Sequence, residues 1–434
     1  MHPRVALACL AFGALLVLLL WWQDTTSISG VGQWLTGAGR LTGLLAGYAI
    51  AVQLLLMARI PAVELGIGAD RLARWHSFGG RYTVSLASAH TLLIIWGYAV
   101  TARTDPVRQT TTFLLTFPDV LMATVAFGLL LMIAYVSARA VRQRMAYETW
   151  YYVHFYTYLA VALAFSHQFA TGADFVNSLR NRVLWSALYG GTALLLLWYR
   201  FVVPVLGMLR HKIRVADVRP EGPGVVTITF TGHHLDELGA EPGQFFRWRF
   251  LNRSHWWQSH PYSLSAAPTP FRLRITVKTL GDHSGDLQSL QVGTPVLAAG
   301  PYGAFTAHRR SKRKVLLLGG GVGITPLRAL LETLPASRGD LTLLYRANTP
   351  EEFLFRDELD ALADHRGVRV IYLHGPPGSD RDPFVGDRLR QLIPDLVSHD
   401  VFLCGPPGFT LAATRALRSG GVPSRAIHDE QFAF

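Results

Sequence analysis

The sequence predicts a multidomain membrane protein: a bundle of six membrane-spanning helices, then a small β-barrel, then a parallel α/β domain. Three observations predict it. Of 434 residues, 50% are hydrophobic and only 16% are charged, whereas a soluble globular chain carries roughly 25% charged residues. Long apolar runs crowd the first half, and alternating patterns broken by turns fill the second. The composition places the three parts at 1–209, 210–310 and 311–434. This balance excludes a disordered, collagenous or coiled-coil chain. The two cysteines, Cys9 and Cys404, lie far apart and in different composition zones, which excludes a disulfide scaffold. The net charge is +12. Because many basic residues sit beside apolar runs, the expected partner is membrane lipid at the inner surface and not nucleic acid.

A bilayer-spanning run needs about 20 residues. Six runs qualify, at 5–22, 41–57, 77–100, 118–136, 150–170 and 183–206. The first follows Arg4, as a cleaved leader would. WWQDTTS has no small-x-small cleavage site, however, and Trp21 and Trp22 suit an interface, so a retained span is expected. Six spans put both termini on one side. That side holds Arg4, Arg59, Arg71, Arg74, Arg139, Arg142, Arg144, Arg210, Lys212 and Arg214, and the other holds Arg40, Arg103, Arg108, Arg180 and Arg182. The bias places both termini and the second half of the chain in the cytoplasm.

After Arg210 the period changes to two. FRLRITVK (271–278) sets Phe271, Leu273, Ile275 and Val277 on one face and Arg272, Arg274, Thr276 and Lys278 on the other, which predicts a half-buried antiparallel strand. VVTITF (225–230) and FFRWRF (245–250) predict two more. From about Ser311 the order becomes strand, Gly-rich turn, helix, strand, as in a parallel sheet.

Histidines lie in or beside the apolar runs. Intramembrane ionisable groups are costly, and a functional role is the default expectation. His76 and His90 are 14 residues apart on the third span, and His154 and His167 are 13 apart on the fifth. At 1.5 Å per residue each pair covers roughly 20 Å. One histidine from each helix then meets at each of two depths, His76 with His154 and His90 with His167. Two facing imidazoles are what a six-coordinate haem iron takes. A step of 14 residues returns to within about 40° of one helix face, but 13 leave a mismatch of about 140°. The fifth helix is therefore expected to tilt, overwind or carry a π-bulge. The plainer alternatives are polar contacts between helices or a proton relay. Arg81 and Arg40 are candidates for haem propionates, with snorkelling as the alternative. His211, His233, His234, His255, His308 and the other histidines of the second half are expected at the surface or in turns.

Two strings in the second half suit ligands. In HPYSLSAAP (260–268), Tyr262 can stack on a flat polar ring and Ser263 can hydrogen-bond a ring nitrogen. Downstream, Lys278, Ser284 and the N–H groups near Gly285 can meet a pyrophosphate, and GPYG (300–303) reads as a further tight turn. KVLLLGGGVGITPLRALLE (314–332) reads as strand, turn and helix. Gly321 and Gly323 allow close phosphate approach, Thr325 is placed to N-cap the helix, and Pro326 suits its first turn. The pattern is G-x-G-x-x-P rather than the Rossmann G-x-G-x-x-G. The next strand, LTLLY, ends at Arg346 instead of an acid, which favours a 2′-phosphate and so NADPH over NADH. VFLCGPPGF (401–409) ends a further buried strand. It sets Cys404 either beside a nicotinamide or in the core.

Together these motifs resemble the ferric reductase and NADPH oxidase superfamily in its bacterial form, over nearly the whole chain. The first half is similar to the family's transmembrane domain with its histidine spacings, and the second to its ferredoxin-NADP reductase module. HPYSLSAAP is similar to the HPxxxS flavin motif, with His260 where soluble reductases carry arginine. The resemblance implies FAD on an FAD-binding β-barrel, contacted by His260, Pro261, Tyr262 and Ser263. It implies an NAD(P)-binding α/β domain holding NAD(P)H through Gly320, Gly321, Gly323, Thr325, Pro326, Arg346, Cys404, Gly405 and Pro406. It also implies a C-terminal aromatic, here Phe434, that stacks on the flavin and leaves when nicotinamide arrives.

The expected activity is then transfer of electrons from NAD(P)H through FAD and two b-type haems to an acceptor on the outer face. NAD(P)H gives two electrons as hydride and a low-spin haem takes one, so a flavin must stand between them. The outer segments carry no evident metal cluster, which favours oxygen, giving superoxide, over a ferric or cupric chelate. A tethered flavin reductase with idle histidines is the alternative from another class. No obligatory protein partner is indicated.

Overall fold

The computed structural model describes residues 2–24, 29–145, 147–176, 178–279, 282–379 and 382–430. It divides into two compact units, Met1–Phe201 and Val202–Phe434. The division falls ahead of the composition boundary at 209/210.

The first unit is helical. Its long members are α1 (Pro3–Asp24), α2 (Val31–Leu56), α3 (Ala69–Ala102), α4 (Val120–Ser137), α5 (Tyr147–Thr171) and α6 (Leu179–Leu197). In lipid a helix satisfies every backbone group internally, which is why these apolar runs all take this form. Among the described residues, five candidate spans are long and apolar enough to cross a membrane: α1, α2, α3, α4, and α6 with its continuation to His211. α5 has 25 residues, but its tyrosines, histidines, threonines and Gln168 dilute it below that standard. The expectation of six equivalent spans is therefore met by five, with α5 the polar member. α5 is also an uninterrupted α-helix. The π turn lies at Trp198–Val202, after α6, and not between His154 and His167.

α2 and α3 form the closest helix pair in the unit. They run antiparallel along a seam of small residues. A Cβ on Gly32 would lie 3.1 Å from the Gly97 oxygen, and one on Gly97 would lie 2.9 Å from the Gly32 oxygen. Seven residues on, Gly39 faces His90, and a further 14 on, Gln53 faces His76. Small residues of this kind let membrane helices approach backbone to backbone. α5 packs against α4 instead, and α3 and α5 have little close backbone approach.

The second unit begins with helix α7 (Val203–His211), which packs on strand β6. Six strands follow: β1 (Arg214–Gly222), β2 (Val225–Thr231), β3 (Phe245–Phe250), β4 (His260–Ser263), β5 (Arg272–Lys278) and β6 (Val296–Tyr302). They form two antiparallel sheets of three strands, ordered β1-β2-β5 and β4-β3-β6, rather than one continuous barrel. Bridges at Leu264 to Ile275 and Arg214 to Pro295 join them. Phe230, Phe246, Trp248, Phe250 and Ile275 fill the space between. Pro261 is tolerated because β4 is an edge strand. GPYG is not a separate turn, since Gly300, Pro301 and Tyr302 close β6.

β5 is buried on both faces, contrary to the half-buried expectation. Arg274 and Thr276 point to the face expected to be wet, and Phe271 lies outside the strand and is exposed. Three histidines also depart from expectation. His211 is buried and bonds the His233 carbonyl, His255 is buried between Asn252 and Asp286, and His399 is buried against the Asp395 carbonyl.

The rest is a five-stranded parallel sheet: β7 (Lys314–Gly320), β8 (Leu341–Ala347), β9 (Arg369–His374), β10 (His399–Cys404) and β11 (Ile427–Glu430), in the order β11-β10-β7-β8-β9. Helices α8 (Ile324–Thr333), α9 (Arg356–Arg366) and α10 (Pro407–Ser419) connect it. The strand order reverses between β7 and β10, which opens a crevice at their carboxyl ends.

An ion network joins the antiparallel sheets to the parallel domain. Arg274 donates to both Glu358 oxygens at 2.9 Å, and Arg328 Nε donates to Glu358 at 2.8 Å. Arg274 and Arg328 are only 9% and 7% exposed. Burial raises the Glu358 carboxyl, but the two arginines outweigh it and hold it below its ordinary value. A depressed carboxylate stabilises the fold above its unfolded pKa of about 4.3 and loses that contribution as pH falls through the folded value. Glu358→Gln is expected to cost about 2–3 kcal/mol, discounted for the partial exposure of Glu358. Thermal unfolding of the full chain at pH 7 should show the loss, and the gap between wild type and variant should close below about pH 4.

Candidate functional site

Two of the four membrane histidines, His76 and His154, come together as a ring pair. The rings of His76 and His154 have centroids 6.0 Å apart, with planes at 73°. A metal–imidazole bond is about 2 Å, so two such bonds and two half-rings separate ring centroids by about 6 Å. His154 also stacks on Trp150, at 5.1 Å and 25°. His167 lies within electrostatic reach of His90 and of Asp119. His154 and His167 leave the unbroken α5 in directions about 140° apart.

The Nδ1 atoms are largely occupied. His76 Nδ1 lies 3.2 Å from the Gln53 carbonyl oxygen, His90 Nδ1 2.8 Å from the Gly39 carbonyl oxygen, and His167 Nδ1 3.0 Å from Thr171 Oγ1. His154 Nδ1 is buried without a hydrogen-bond partner. Among the described residues no Nε2 of the four makes a hydrogen bond. A histidine whose Nδ1 is engaged and whose Nε2 is free is the usual form of a metal ligand. Three of the four thus have an engaged Nδ1, and the separation of His76 and His154 fits one bis-imidazole iron.

Of the arginines, Arg81 stands over the Phe78 ring at 5.3 Å and is exposed, as snorkelling expects. Arg40 is half-buried and follows Gly39, at the level of His90. Arg200 was not singled out by sequence reasoning. From the π turn it donates Nε to the Met57 carbonyl at 2.9 Å, capping α2 within electrostatic reach of His76. An arginine inside the last apolar run (LWYRFVV) was the signal for it.

The flavin string lies on β4, paired to β3 with Phe246 opposite Tyr262 and Trp248 opposite His260. Trp248 Nε1 donates to the Tyr262 carbonyl at 3.0 Å, and the rings of His260 and Tyr262 stack at 22°. Burial pushes the Tyr262 hydroxyl up, so it stays protonated. Ser263 Oγ is buried with no partner, and a buried hydroxyl without one is an open place for a ligand atom. Lys278 ends β5, and buried Ser284 lies in the short helix Asp282–Asp286.

At the crevice, Gly320 ends β7, Gly321 takes φ +55°, and Gly323 meets the end of β10. A Cβ on Gly323 would meet the Cys404 carbonyl oxygen, and it would lie 2.7 Å from Gly405 Cα. Only glycine lets the two turns close to this distance. Thr325 is not the N-cap. The helix begins at Ile324, and Thr325 Oγ1 donates back to the Val322 carbonyl at 3.0 Å. Pro326 sits in the first turn. Pro406 stands just before α10, beside Gly405. Arg346 is only 10% exposed. It donates to the Gly375 carbonyl at 3.0 Å and lies 3.9 Å from Asp382, so a 2′-phosphate would have to displace a carboxylate. Its placement lends NADPH no support over NADH. Cys404 is fully buried, in the core with Leu317 and Phe402. Phe434 lies outside the described residues.

A helical unit with paired histidines, joined in one chain to flavin-type sheets and a dinucleotide crevice, defines the class of membrane-anchored pyridine-nucleotide oxidoreductases. Residues 42–165 match the family described as ferric reductase like transmembrane component, residues 210–306 an FAD-binding domain, and residues 317–415 an oxidoreductase NAD-binding domain. With these three domains in this order, the chain belongs to the ferric reductase and NADPH oxidase superfamily. Its curated relatives match part of it. The glycine betaine monooxygenase reductase subunit of Chromohalobacter salexigens is 30% identical over 51% of this chain and 64% of its own length. The flavohemoprotein of Pseudomonas putida is 31% identical over 57% of this chain and 67% of its own. The chain spans about two thirds or less of the length of most of these relatives. Among solved structures, the FAD/NAD binding domain of nitric oxide dioxygenase from Vibrio cholerae is 27% identical over 51% of this chain and 98% of that one, with a TM-score of 0.45.

Burial pushes the Cys404 thiol up, and Glu430 and Asp429 add to the shift. The thiolate is the reactive form. Iodoacetamide should leave Cys404 unmodified in the native chain at pH 8 and label it fully after unfolding, as peptide mass analysis would show.

Proposed function

We propose that the chain carries electrons across the membrane, from cytoplasmic NAD(P)H through FAD and two stacked b-type haems to an outer acceptor, with oxygen, giving superoxide, as the acceptor of first choice. The observation that carries this reading is the meeting of His76 and His154 at 6.0 Å, from helices that hardly touch. When bound, the flavin supplies conversion of a two-electron donor into single electrons, and the haems supply a one-electron relay.

The chain's own residues supply position and insulation. Gly320, Gly321 and Gly323 line the crevice at the strand reversal, where a pyrophosphate can approach the backbone. Tyr262 offers a ring face, and Ser263 a hydroxyl that no protein atom takes. His76 and His154 hold the inner iron, and His90 and His167 the outer one. Arg200 sets a positive charge beside the inner pair, and Arg40 stands at the level of the outer pair. No protein nucleophile or general base is called for. The basic residues flanking the spans support a cytoplasmic second half.

A ferric or cupric chelate would use the same path, so the acceptor is tested separately. The purified full chain, given NADPH or NADH, should reduce cytochrome c in a manner blocked by superoxide dismutase. Formation of Fe(II) from a ferric chelate without oxygen, at a higher rate than superoxide release, would make it a metalloreductase. Leucine at His76, His90, His154 or His167 should each remove haem absorbance while NAD(P)H still reduces FAD. Full Soret absorbance in all four variants would sink the haem assignment and leave a tethered flavin reductase.

A further inference from the structure

The helical carbonyl oxygens beside His76 and His90 are not ordinarily available. A carbonyl inside an α-helix is taken by the N–H four residues on, and the side chain there lies over it. The two sites escape this in different ways. Gln53 belongs to the last turn of α2, which ends at Leu56, and the final carbonyls of a helix have no partner within it. Gly39 lies far from either end. Four residues on from it is Gly43, where a Cβ would lie 2.6 Å from His90 Nδ1. Only a glycine there leaves the Gly39 oxygen open to the imidazole, at 2.8 Å.

His167 takes its partner from its own helix. Thr171 Oγ1 lies 3.0 Å from His167 Nδ1 and 3.0 Å from the His167 carbonyl oxygen. A hydroxyl has one proton to donate. Given to the carbonyl, which can only accept, it leaves the hydroxyl oxygen to accept from Nδ1–H. The Gly39 carbonyl likewise can only accept, so His90 also carries its proton on Nδ1. Both histidines of the outer pair thus present a bare Nε2. The inner pair is held differently, with both the carbonyl and the side-chain amide of Gln53 at His76 Nδ1 and no partner at His154 Nδ1.

We infer that Gly43 and Thr171 are positioning residues of the outer haem. Gly43 acts by opening the Gly39 carbonyl to His90, and Thr171 by accepting from His167. The inference rests on the haem reading above. Each hydrogen bond fixes the tautomer and ring direction and makes the imidazole a stronger donor. A stronger donor favours the ferric state and lowers the midpoint potential. Neither residue touches the iron, and no bond is made or broken at either.

The test uses the haem-loaded full chain, with redox titration of the α-band and low-temperature electron paramagnetic resonance. The outer signal is the one that His90→Leu removes. Thr171→Val keeps the side-chain volume and removes the acceptor. It should move the outer midpoint to higher potential and alter the outer g-values, leaving the inner signal unchanged. Gly43→Ala should reduce haem content from two to one per chain, with the inner signal retained. Gly128→Ala, whose new Cβ meets nothing within 4 Å, should keep both haems as wild type. Wild-type outer midpoint and g-values in Thr171→Val overturn the inference, and so does a Gly43→Ala chain that keeps both haems with wild-type signals. If Gly43→Ala does not accumulate, Thr171→Val decides. A wild-type chain that binds no haem fails the proposed function instead.

Discussion

The membrane half depends on the antiparallel glycine seam between α2 and α3. It brings two backbones within reach of each other, and it holds one register over the length of both helices, from Gly32 and Gly97 to Gln53 and His76. Because both helices advance at the same rise, 14 residues between the histidines of α3 are matched by 14 between the carbonyls of α2 that meet them. One packing surface thus orients histidines at two depths. The cost of polar groups in lipid makes this arrangement specific, since an imidazole without partners would be expensive there. α5 brings the facing histidines, from a helix that packs against α4.

The second unit answers a different constraint. A dinucleotide needs a crevice where backbone can come close to phosphate, and a parallel sheet makes one where its strand order reverses. Here the reversal falls between β7 and β10, and Gly323 against Cys404 and Gly405 closes the two turns to a distance that no side chain would allow. The antiparallel sheets meet this domain through the Arg274, Glu358 and Arg328 network. Removing Glu358 would leave the buried Arg274 without its carboxylate, whereas Arg328 would keep Glu332.

The parts of this arrangement legible in the sequence are those written in side-chain type and spacing. The histidine pairs, the flavin string, the glycine turn after β7 and the apolar runs all are. Features that depend on a backbone atom or a distant partner are not. Gly43 looks like any small residue in GRLTGLLAG, and the carbonyls of Gly39 and Gln53 have no letter of their own. The second face of β5 reads as wet because its cover, Glu358, lies 84 residues from Arg274. Arg346 reads as a phosphate ligand because Asp382, which neutralises it, belongs to another loop. Thr325 reads as a cap, but the helix starts at Ile324, two residues earlier than a Thr325 cap would place it.

The central claim is that each chain holds two irons, each between two imidazoles. The most direct measurement is haem stoichiometry in the purified full chain, together with the low-temperature resonance spectrum of its oxidised form. The account predicts two b-type haems per chain, both low-spin. A single haem, a high-spin signal from an open coordination site, or no haem at all would contradict it.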